Sequence, residues 1–211
     1  MLEITNWKLC DIKESVIACR NAMRITPAEY TEEEFNKSLP RAIALAKCGG
    51  GSGHSSWRIG VRVAFDIKYP NYISPELQRY HFLDIVSSQS TMHRITKFDL
   101  DKAYIEYTDP RIIEIMKEKT REYNDLQNDI KRLQEEGKDT GTLMAVAAEK
   151  YLEILYSNPA GFKLTARMTT NYRQLKTIYA QRKNHRLPEW RAFCEWIETL
   201  PNADFITKTM R

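Results

Sequence analysis

The segment WRIGVRVAFDI, Trp57–Ile67, decides the fold class of this 211-residue chain. Apolar side chains alternate along it with arginine, glycine, alanine and aspartate, a period of two that predicts a β-strand with one buried face. That face is expected to carry Trp57, Ile59, Val61, Val63, Phe65 and Ile67. Since strands and helices do not alternate regularly around this segment, the sequence favours an antiparallel sheet.

Helical patterns precede and follow this strand. Upstream, the sequence predicts a short helix from about Lys13 to Arg24 and another that ends near Lys47. The glycine-rich stretch GGGSGHSS, Gly49–Ser56, is expected to break that helix and form a loop that can approach a ligand closely. Downstream, Pro75 is expected to begin a helix through PELQRYHFLDIVSSQSTMH, residues 75–93.

Longer helical patterns dominate the carboxyl-terminal half. Asp109 and Pro110 supply an N-cap and a first-turn proline for an amphipathic helix that runs to about Glu136. Further helices are predicted at Thr142–Tyr156, across Thr169–Trp190 and from Glu189 to about Leu200. Together these elements predict an α+β fold in which a small antiparallel sheet packs with long helices. A single domain over residues 1–211 is the default for this length, and two small lobes are the alternative.

Composition and charge limit the classes of function. A net charge of +4, from 32 basic against 28 acidic residues, does not require nucleic acid as a partner and suits an anionic small molecule equally well. The four cysteines form no CxxC pair, so neither a zinc site nor a dithiol redox motif is indicated. The sequence shows no signal-peptide core and no apolar run of roughly 18 residues, so we expect a soluble cytoplasmic protein without a membrane partner.

The segment TTNYRQLKTIYAQRKNHRLPEW, Thr169–Trp190, is rich in polar groups suited to ligands. In a continuous helix Asn171, Arg182 and His185 would share one face, while Arg173 would point nearly the opposite way. Arginine presents a planar fork of donors that suits a carboxylate, a phosphate or the edge of a pyrimidine. The alternative interpretation is a basic solvated helix whose apolar residues face the core, namely Leu175, Ile178 and Tyr179.

A second polar cluster lies in SSQSTMHRITKFD, residues 87–99, where Gln89, His93 and Arg94 stand among small hydroxyl residues after the predicted helix. Small side chains let a ligand approach the backbone, whereas a His-Arg pair near a helix end is also a common cap or ion-pair partner. Neither cluster is accompanied by a GxSxG elbow, an HExxH motif or a catalytic cysteine signature. An imported cofactor is therefore the natural source of chemistry, and no metal site is expected.

In order and spacing, three motifs resemble those of the flavin-dependent thymidylate synthases. The first is Gly53-His54-Ser55-Ser56 before the strand that ends Phe65-Asp66-Ile67, and the second is Gln89-Ser90-Thr91-Met92-His93-Arg94. The third is Asn171-Tyr172-Arg173, with Arg182 eleven residues after the asparagine. The resemblance runs over most of the chain, and these motifs carry it.

The resemblance implies an α+β homotetramer that holds flavin adenine dinucleotide (FAD) between subunits, with the nucleotide dUMP stacked on the flavin ring. The implied reaction is the reductive methylation of dUMP at C5, with methylenetetrahydrofolate as carbon donor and NADPH as reductant. Position by position, the resemblance implies FAD binding by His54, Ser56, Gln89, His93, Arg94, Asn171, Arg173 and His185. It implies dUMP binding by Arg94 and Arg182, and a catalytic role for Arg182, His93 and Arg94.

The chain departs from the family pattern at several positions. Met92 replaces the first arginine of an Arg-His-Arg signature, Gly60 stands where a histidine is usual, and Leu155 replaces an arginine. The phosphate-binding positions after the signature become Lys97, Asp99-Leu100, Lys102 and Tyr104-Ile105, and compensating charge is expected from Lys97, Lys102 and Arg79. Three alternatives stay open: a related pyrimidine-nucleotide C5-modifying enzyme, a non-catalytic nucleotide- or partner-binding descendant, and a nucleic-acid-binding protein that uses the basic terminal helix.

Overall fold

The computed structural model describes residues 2–48 and 53–208 of the chain. These residues form two compact units. Unit 1 contains the described residues within 1–69, 75–87 and 165–211, and unit 2 contains 70–74 and 88–164. Residues 49–52 of the predicted glycine-rich loop lie outside the described residues. The organisation of residues 1–211 as a single domain stays a prediction.

A four-stranded sheet with the strand order β1-β2-β4-β3 lies mostly in unit 1. Its strands are β1 (Glu3–Cys10), β2 (Arg62–Pro70), β3 (Asp84–Ser88) and β4 (Lys163–Asn171). β1 pairs antiparallel with β2, and the register shifts by a bulge between Thr5 and Lys8. The predicted fold class, α+β with a small antiparallel sheet, is confirmed.

Helices make up most of the remaining structure. In chain order they are α1 (Ile12–Ala18), α2 (Glu32–Ala46), α3 (Ser74–Leu77), α4 (Thr91–Arg94), α5 (Pro110–Glu135), α6 (Gly141–Ser157), α7 (Tyr172–Arg182), α8 (Pro188–Glu198) and α9 (Asp204–Thr207). Short 3₁₀ helices lie at Asn21–Met23, Gly53–Ile59, Asn71–Ile73 and Ile95–Lys97. Within residues 2–48 and 53–208, no helix combines the length and the apolar character needed to cross a lipid bilayer.

The buried face of β2 forms the centre of the core of unit 1. Val63, Phe65 and Ile67 are at most 1% exposed, as their alternation predicts. The Phe65 ring lies 5.9 Å from the ring of Phe193 and 4.8 Å from that of Trp196, both on α8. The apolar stripe of α8 therefore covers the sheet and fixes the face that β2 buries.

The predicted strand is wrong at its first residues. Trp57 and Ile59 belong to the 3₁₀ helix Gly53–Ile59, and Ile59 is 46% exposed rather than buried. The Trp57 ring packs edge-on against Phe205 with 5.0 Å between centroids, so its apolar surface is used by the turn and not by the sheet. Gly60 follows at a point where a Cβ atom would lie 2.3 Å from Oγ of Ser15.

Two segments predicted as helices contain strands. In residues 75–93 the helix α3 ends at Leu77, Phe82 takes a left-handed backbone with a φ of 63°, and β3 follows. In Thr169–Trp190 the first three residues complete β4 before α7 begins. The helix predicted from Lys13 to Arg24 also ends early, at Ala18. Tertiary pairing overrides local helix propensity in these strands.

Unit 2 is built on the two long helices that the sequence predicts. Asp109 caps α5 because its Oδ1 accepts a hydrogen bond from the backbone N–H of Arg111 at 2.9 Å. Between α5 and α6, Lys150 Nζ lies 2.7 Å from Glu122 Oε2. Their partly buried faces pack on a core of Ile95, Leu100, Ala103, Tyr104, Met116, Ile154, Phe162 and Leu164.

Candidate functional site

Arg182, at the last residue of α7, is held by three side chains of unit 1. Its Nε donates to the Tyr80 hydroxyl at 2.7 Å, and its Nη1 lies 3.0 Å from Oε2 of Glu76 and 2.8 Å from Nε2 of His185. The guanidinium also lies over the Trp190 ring, 4.6 Å from its centroid. These contacts fix the orientation of the Arg182 fork, and Nη2 makes no hydrogen bond within the described ranges.

Glu76 connects this arginine to the core. Its Oε2 accepts a hydrogen bond of 2.6 Å from the indole N–H of Trp190, whose side chain is fully buried. The Tyr80 hydroxyl in turn donates to Oε1 of Gln181 at 2.9 Å. We name Glu76, Tyr80, Arg182, His185 and Trp190 the arginine cluster. Sequence reasoning missed Glu76, Tyr80 and Trp190 as members. Glu76 and Tyr80 lie more than a hundred positions before Arg182 and Trp190, and no local pattern links them.

His185 lies beyond the end of α7 in a turn, so the continuous helix predicted through it is wrong. Its Nε2 faces Arg182, and its Nδ1 accepts from the backbone N–H of Leu187 at 3.2 Å. A neutral imidazole has one acceptor nitrogen, so it can accept only one of these two N–H groups at a time. His185 therefore acts as a local partner of the arginine and of the turn.

Asn171 lies at the opposite end of α7, and eleven residues of helix separate it from Arg182 by about 16 Å. Its Oδ1 caps the helix by accepting from the N–H of Gln174 at 3.0 Å. Its Nδ2 makes no hydrogen bond to the part of the chain that the structure describes. Asn171 lines a cavity of about 550 Å³, with a mainly apolar wall that includes Val63, Phe82, Thr169 and Thr170. Arg173, in the first turn, is exposed.

His54 and Ser56 line a larger cavity of unit 1, with a volume of about 970 Å³. Ser56 Oγ donates to the carbonyl of Gly53 at 2.9 Å, which tightens the 3₁₀ turn, and His54 is exposed. The same turn holds the Ser55 hydroxyl and the Trp57 indole N–H, both buried and without a hydrogen-bond partner among the described residues. Both atoms are inaccessible to solvent and Ser55 does not line the cavity, so neither donor is presented to a ligand there.

In unit 2, Gln89 and Arg94 line a cavity of about 420 Å³ together with Lys97 and Asp99. The cluster follows β3 and not the predicted helix. Lys97 lines the same cavity as Arg94, whereas Lys102 is paired with Asp99 at 2.9 Å, and the compensating role of these lysines stays a prediction. His93 is exposed on α4 and does not line this cavity. Arg79, the third compensating residue, is exposed in unit 1.

Comparison with known proteins identifies the fold. No protein-family model matches the sequence, and no curated protein matches it. The chain is similar to the flavin-dependent thymidylate synthase ThyX of Helicobacter pylori complexed with FAD and dUMP, with a TM-score of 0.64, 15% identity and 97% coverage of both chains. The chain has the fold of the flavin-dependent thymidylate synthases. A second Helicobacter pylori ThyX structure with FAD and dUMP gives a TM-score of 0.61 and 14% identity, with 98% of this chain and 96% of that one covered.

The thymidylate synthase fold agrees with the resemblance that the three sequence motifs carry. Of the motif residues, Gln89 and Arg94 line a cavity of unit 2, and Arg182 belongs to the arginine cluster. His54 and Ser56 line one cavity of unit 1 and Asn171 another, whereas His93 and Arg173 line none of these cavities. The roles of the individual residues stay predictions.

Proposed function

We propose that this protein is a flavin-dependent thymidylate synthase-like enzyme, which methylates dUMP reductively at C5 with methylenetetrahydrofolate and NADPH as co-substrates. The observation that carries the proposal is the fold, which matches over 97% of both chains a structure of ThyX complexed with FAD and dUMP. The motif residues support the proposal further, because they supply the side chains assigned to FAD and dUMP. The proposal includes assembly as a homotetramer in the cytoplasm, where the four free cysteines would stay reduced.

The residues assigned to FAD fit that group on two observations. The cavity beside His54 and Ser56 has room for a large part of a dinucleotide. The cavity beside Asn171 has a mainly apolar wall that also carries Arg62 and Asp84, which suits an aromatic ring with polar edges, and Nδ2 of that asparagine is left to donate. We assign FAD, held between subunits as the resemblance implies, to His54, Ser56, Gln89, His93, Arg94, Asn171, Arg173 and His185. When bound, FAD would supply the redox chemistry that this set of side chains lacks.

Arg182 is the residue that we assign to the pyrimidine of dUMP. Because Glu76, Tyr80 and His185 already orient its guanidinium, Nη2 can donate to a pyrimidine carbonyl without reorganisation. Arg94 and Lys97 place two positive charges beside Gln89, which suits the phosphate of the nucleotide. In this assignment Arg182 polarises the pyrimidine, and His93 and Arg94 complete the catalytic set.

The test is the absorption spectrum of the purified protein, followed by titration with dUMP. A yellow protein with a flavin band that shifts when dUMP is added supports the proposal. Protein that is colourless and leaves the spectrum of added FAD unchanged refutes it. Titration with dCMP beside dUMP tests the related C5-modifying enzyme, which would respond to dCMP.

A second candidate is a non-catalytic descendant that keeps the scaffold and binds a nucleotide or a partner. The observation that favours it is the arginine cluster, where Nε and Nη1 of Arg182 are already bonded inside unit 1. The loss of an arginine at Met92 points the same way. Such a protein would bind dUMP or FAD without forming thymidylate.

A further inference from the structure

The four-stranded sheet has two edge strands, β1 and β3, and only β1 is shielded. An edge strand exposes unpaired backbone N–H and C=O groups, so proteins usually shield it with charged residues, proline or a bulge. β1 carries Glu3 and Lys8, and the register shifts between Thr5 and Lys8, where Asn6 takes a left-handed backbone with a φ of 49°. Nδ2 of Asn6 donates to Oδ2 of Asp66 at 2.7 Å, which holds the bulge in place. β1 is therefore protected against pairing with another chain.

β3, Asp84–Ser88, has none of these features. It contains no proline, no lysine and no left-handed residue, and Asp84 is its one ionisable side chain. All five residues are exposed, including Ile85 at 37% and Val86 at 62%. No backbone group of the strand makes a hydrogen bond outside the sheet to the residues that the structure describes. Since alternate residues of an antiparallel edge strand direct both backbone groups away from the sheet, part of the β3 backbone is left unpaired.

An exposed aromatic side chain precedes this strand. Phe82 takes a left-handed φ of 63°, which a bulky residue seldom adopts, and it is 67% exposed. Its carbonyl accepts a hydrogen bond of 2.7 Å from Oγ1 of Thr170, which holds Phe82 in this conformation. Phe82, Ile85 and Val86 thus expose three large apolar side chains within five residues. Single exposed apolar residues are normal, whereas a group of them on an open sheet edge marks an interface.

The sequence of β3 is complementary to a second copy of itself. In an antiparallel pair that matches all five residues, Val86 lies opposite Val86 of the partner subunit, and Asp84 lies opposite Ser88 of the partner subunit. Val86 then packs on an identical side chain, and a serine hydroxyl can donate to the Asp84 carboxylate. The two aspartates stand at opposite ends of the pair, so no like charges face each other. A shifted register would pair fewer residues.

We propose that β3 pairs antiparallel with β3 of a second copy about a two-fold axis at Val86, which joins two four-stranded sheets into one. Both outer edges of the joined sheet would then be β1, the protected strand. A stable dimer buries about 800 Å² on each copy, which is more than a five-residue strand supplies, so the contact also uses Phe82. The pairing names one interface of the homotetramer in the proposed function and rests on that assembly, but not on flavin or dUMP.

The first test is sedimentation equilibrium of the full chain, which measures the mass of the assembly. Val86→Lys should halve that mass, because the pair would bring two ammonium groups face to face. Val86 is mostly exposed within its own chain, so the variant should fold, and circular dichroism checks that it does. The matched control is Trp7→Lys, which replaces an exposed apolar residue of β1 and should keep the wild-type mass.

The second test traps the pair with a disulfide. Residues directly opposite each other in an antiparallel pair have Cβ atoms about 4.5–5.5 Å apart, close to the separation that a disulfide requires. Val86→Cys, made with Cys10→Ser to remove an exposed natural thiol, should therefore give a linked dimer on mild oxidation and non-reducing electrophoresis. Asp84→Cys in the same background should not link to its own copy, since the two positions lie about 13 Å apart along the pair. Co-expressed Asp84→Cys and Ser88→Cys chains should link to each other.

The proposal is overturned if the wild type is a monomer at micromolar concentration, which would leave the edge to a strand of a different protein. It is also overturned if Val86→Lys keeps the wild-type mass, if Trp7→Lys loses mass equally, or if Asp84→Cys links to its own copy as readily as Val86→Cys does. A colourless protein whose mass halves in Val86→Lys would refute the flavin-dependent function and leave the pairing standing. A yellow protein whose mass is the same in Val86→Lys would do the reverse.

Discussion

Arg182 illustrates how a single residue serves both the fold and the proposed chemistry. Its side chain is 18% exposed, and its guanidinium is oriented by Tyr80, Glu76 and His185 before any ligand binds. We expect Arg182→Ala to abolish dUMP binding while FAD stays bound, because His185 is the one residue assigned to FAD that is hydrogen-bonded to Arg182 among the described residues, and Asn171 lies at the other end of α7. Flavin absorbance and a dUMP titration of the variant measure the two ligands separately. Arg186→Ala, at an exposed neighbouring position, is the control, and equal loss of both ligands would contradict this division of roles.

Glu76 is a positioning residue in the same arginine cluster. Glu76→Gln keeps an oxygen that can accept from the Trp190 indole but removes the charge that pairs with Arg182. We expect a stability loss of about 1–2 kcal/mol and weaker binding of dUMP, with flavin binding unchanged. Urea denaturation and a dUMP titration check both, with the exposed Glu149→Gln as control. If Glu76→Gln lowers stability but leaves dUMP affinity intact, the cluster is structural and does not position Arg182 for the nucleotide.

At the scale of elements, two buried cations meet at the carboxyl end of α2. Arg58, which is 1% exposed, and Lys176 both donate to the carbonyl of Ala46, and Arg58 also donates to that of Phe205 at 2.6 Å. The negative end of the helix dipole favours cations there. No carboxylate in the described residues pairs with either, and burial lowers the pKa of Lys176 to about 8 and that of Arg58 to about 10.

This arrangement predicts a pH dependence of stability. Above pH 8 the folded protein gives up the Lys176 proton while the unfolded chain keeps it up to the ordinary pKa of 10.5, so the free energy of unfolding should rise across that interval. Lys176→Met should lack this rise. The difference in the free energy of unfolding between the wild type and Lys176→Met therefore isolates the contribution of Lys176. Urea denaturation from pH 7 to 10.5 measures it. If the difference in the free energy of unfolding stays constant from pH 7 to 10.5, the pKa of Lys176 is not lowered in the folded protein, and the prediction is wrong.

The junction between the 3₁₀ helix Gly53–Ile59 and β2 depends on a close approach between elements. A Cβ atom at position 60 would lie 2.3 Å from Oγ of Ser15, which is buried in α1, so Gly60→Ala is expected to destabilise the fold by about 1–3 kcal/mol. Ser15→Ala removes the clashing oxygen, and the Ser15→Ala/Gly60→Ala protein should recover most of the loss. Thermal unfolding of the four proteins in this cycle provides the measurement. If the stability losses of the two single variants simply add in the double variant, the contact between position 60 and Ser15 is not the source of the strain.

At the scale of the whole molecule, the sequence predicts those elements in which apolar residues recur with a clear strand or helix period. β2 is predicted by its buried alternation and α5 by the Asp109-Pro110 cap, and both are confirmed. β1 and β3 are mostly exposed, so no alternation of apolar and polar residues marks them as strands in the sequence. The last residues of β4 are predicted as part of a helix, because the strand contains residues that also favour helices. Motif spacing points to cavity-lining residues such as Ser56 and Arg94. It does not find Glu76, because that contact depends on the tertiary fold.

At the scale of the whole molecule, the two proposed functions differ in whether the protein catalyses the formation of thymidylate. A synthase should restore growth of a thymidine-requiring host without added thymidine, because thymidylate formation is then supplied by this chain. The Arg182→Ala protein should fail to do so, since it lacks the donor assigned to the pyrimidine, whereas Arg186→Ala should succeed. If the wild-type protein is expressed, binds FAD and dUMP in vitro and still does not restore growth, the scaffold binds nucleotide without catalysis. Growth that survives Arg182→Ala would instead require another residue to polarise the ring, and Arg94, which lines the unit 2 cavity with Lys97, is then the first to replace.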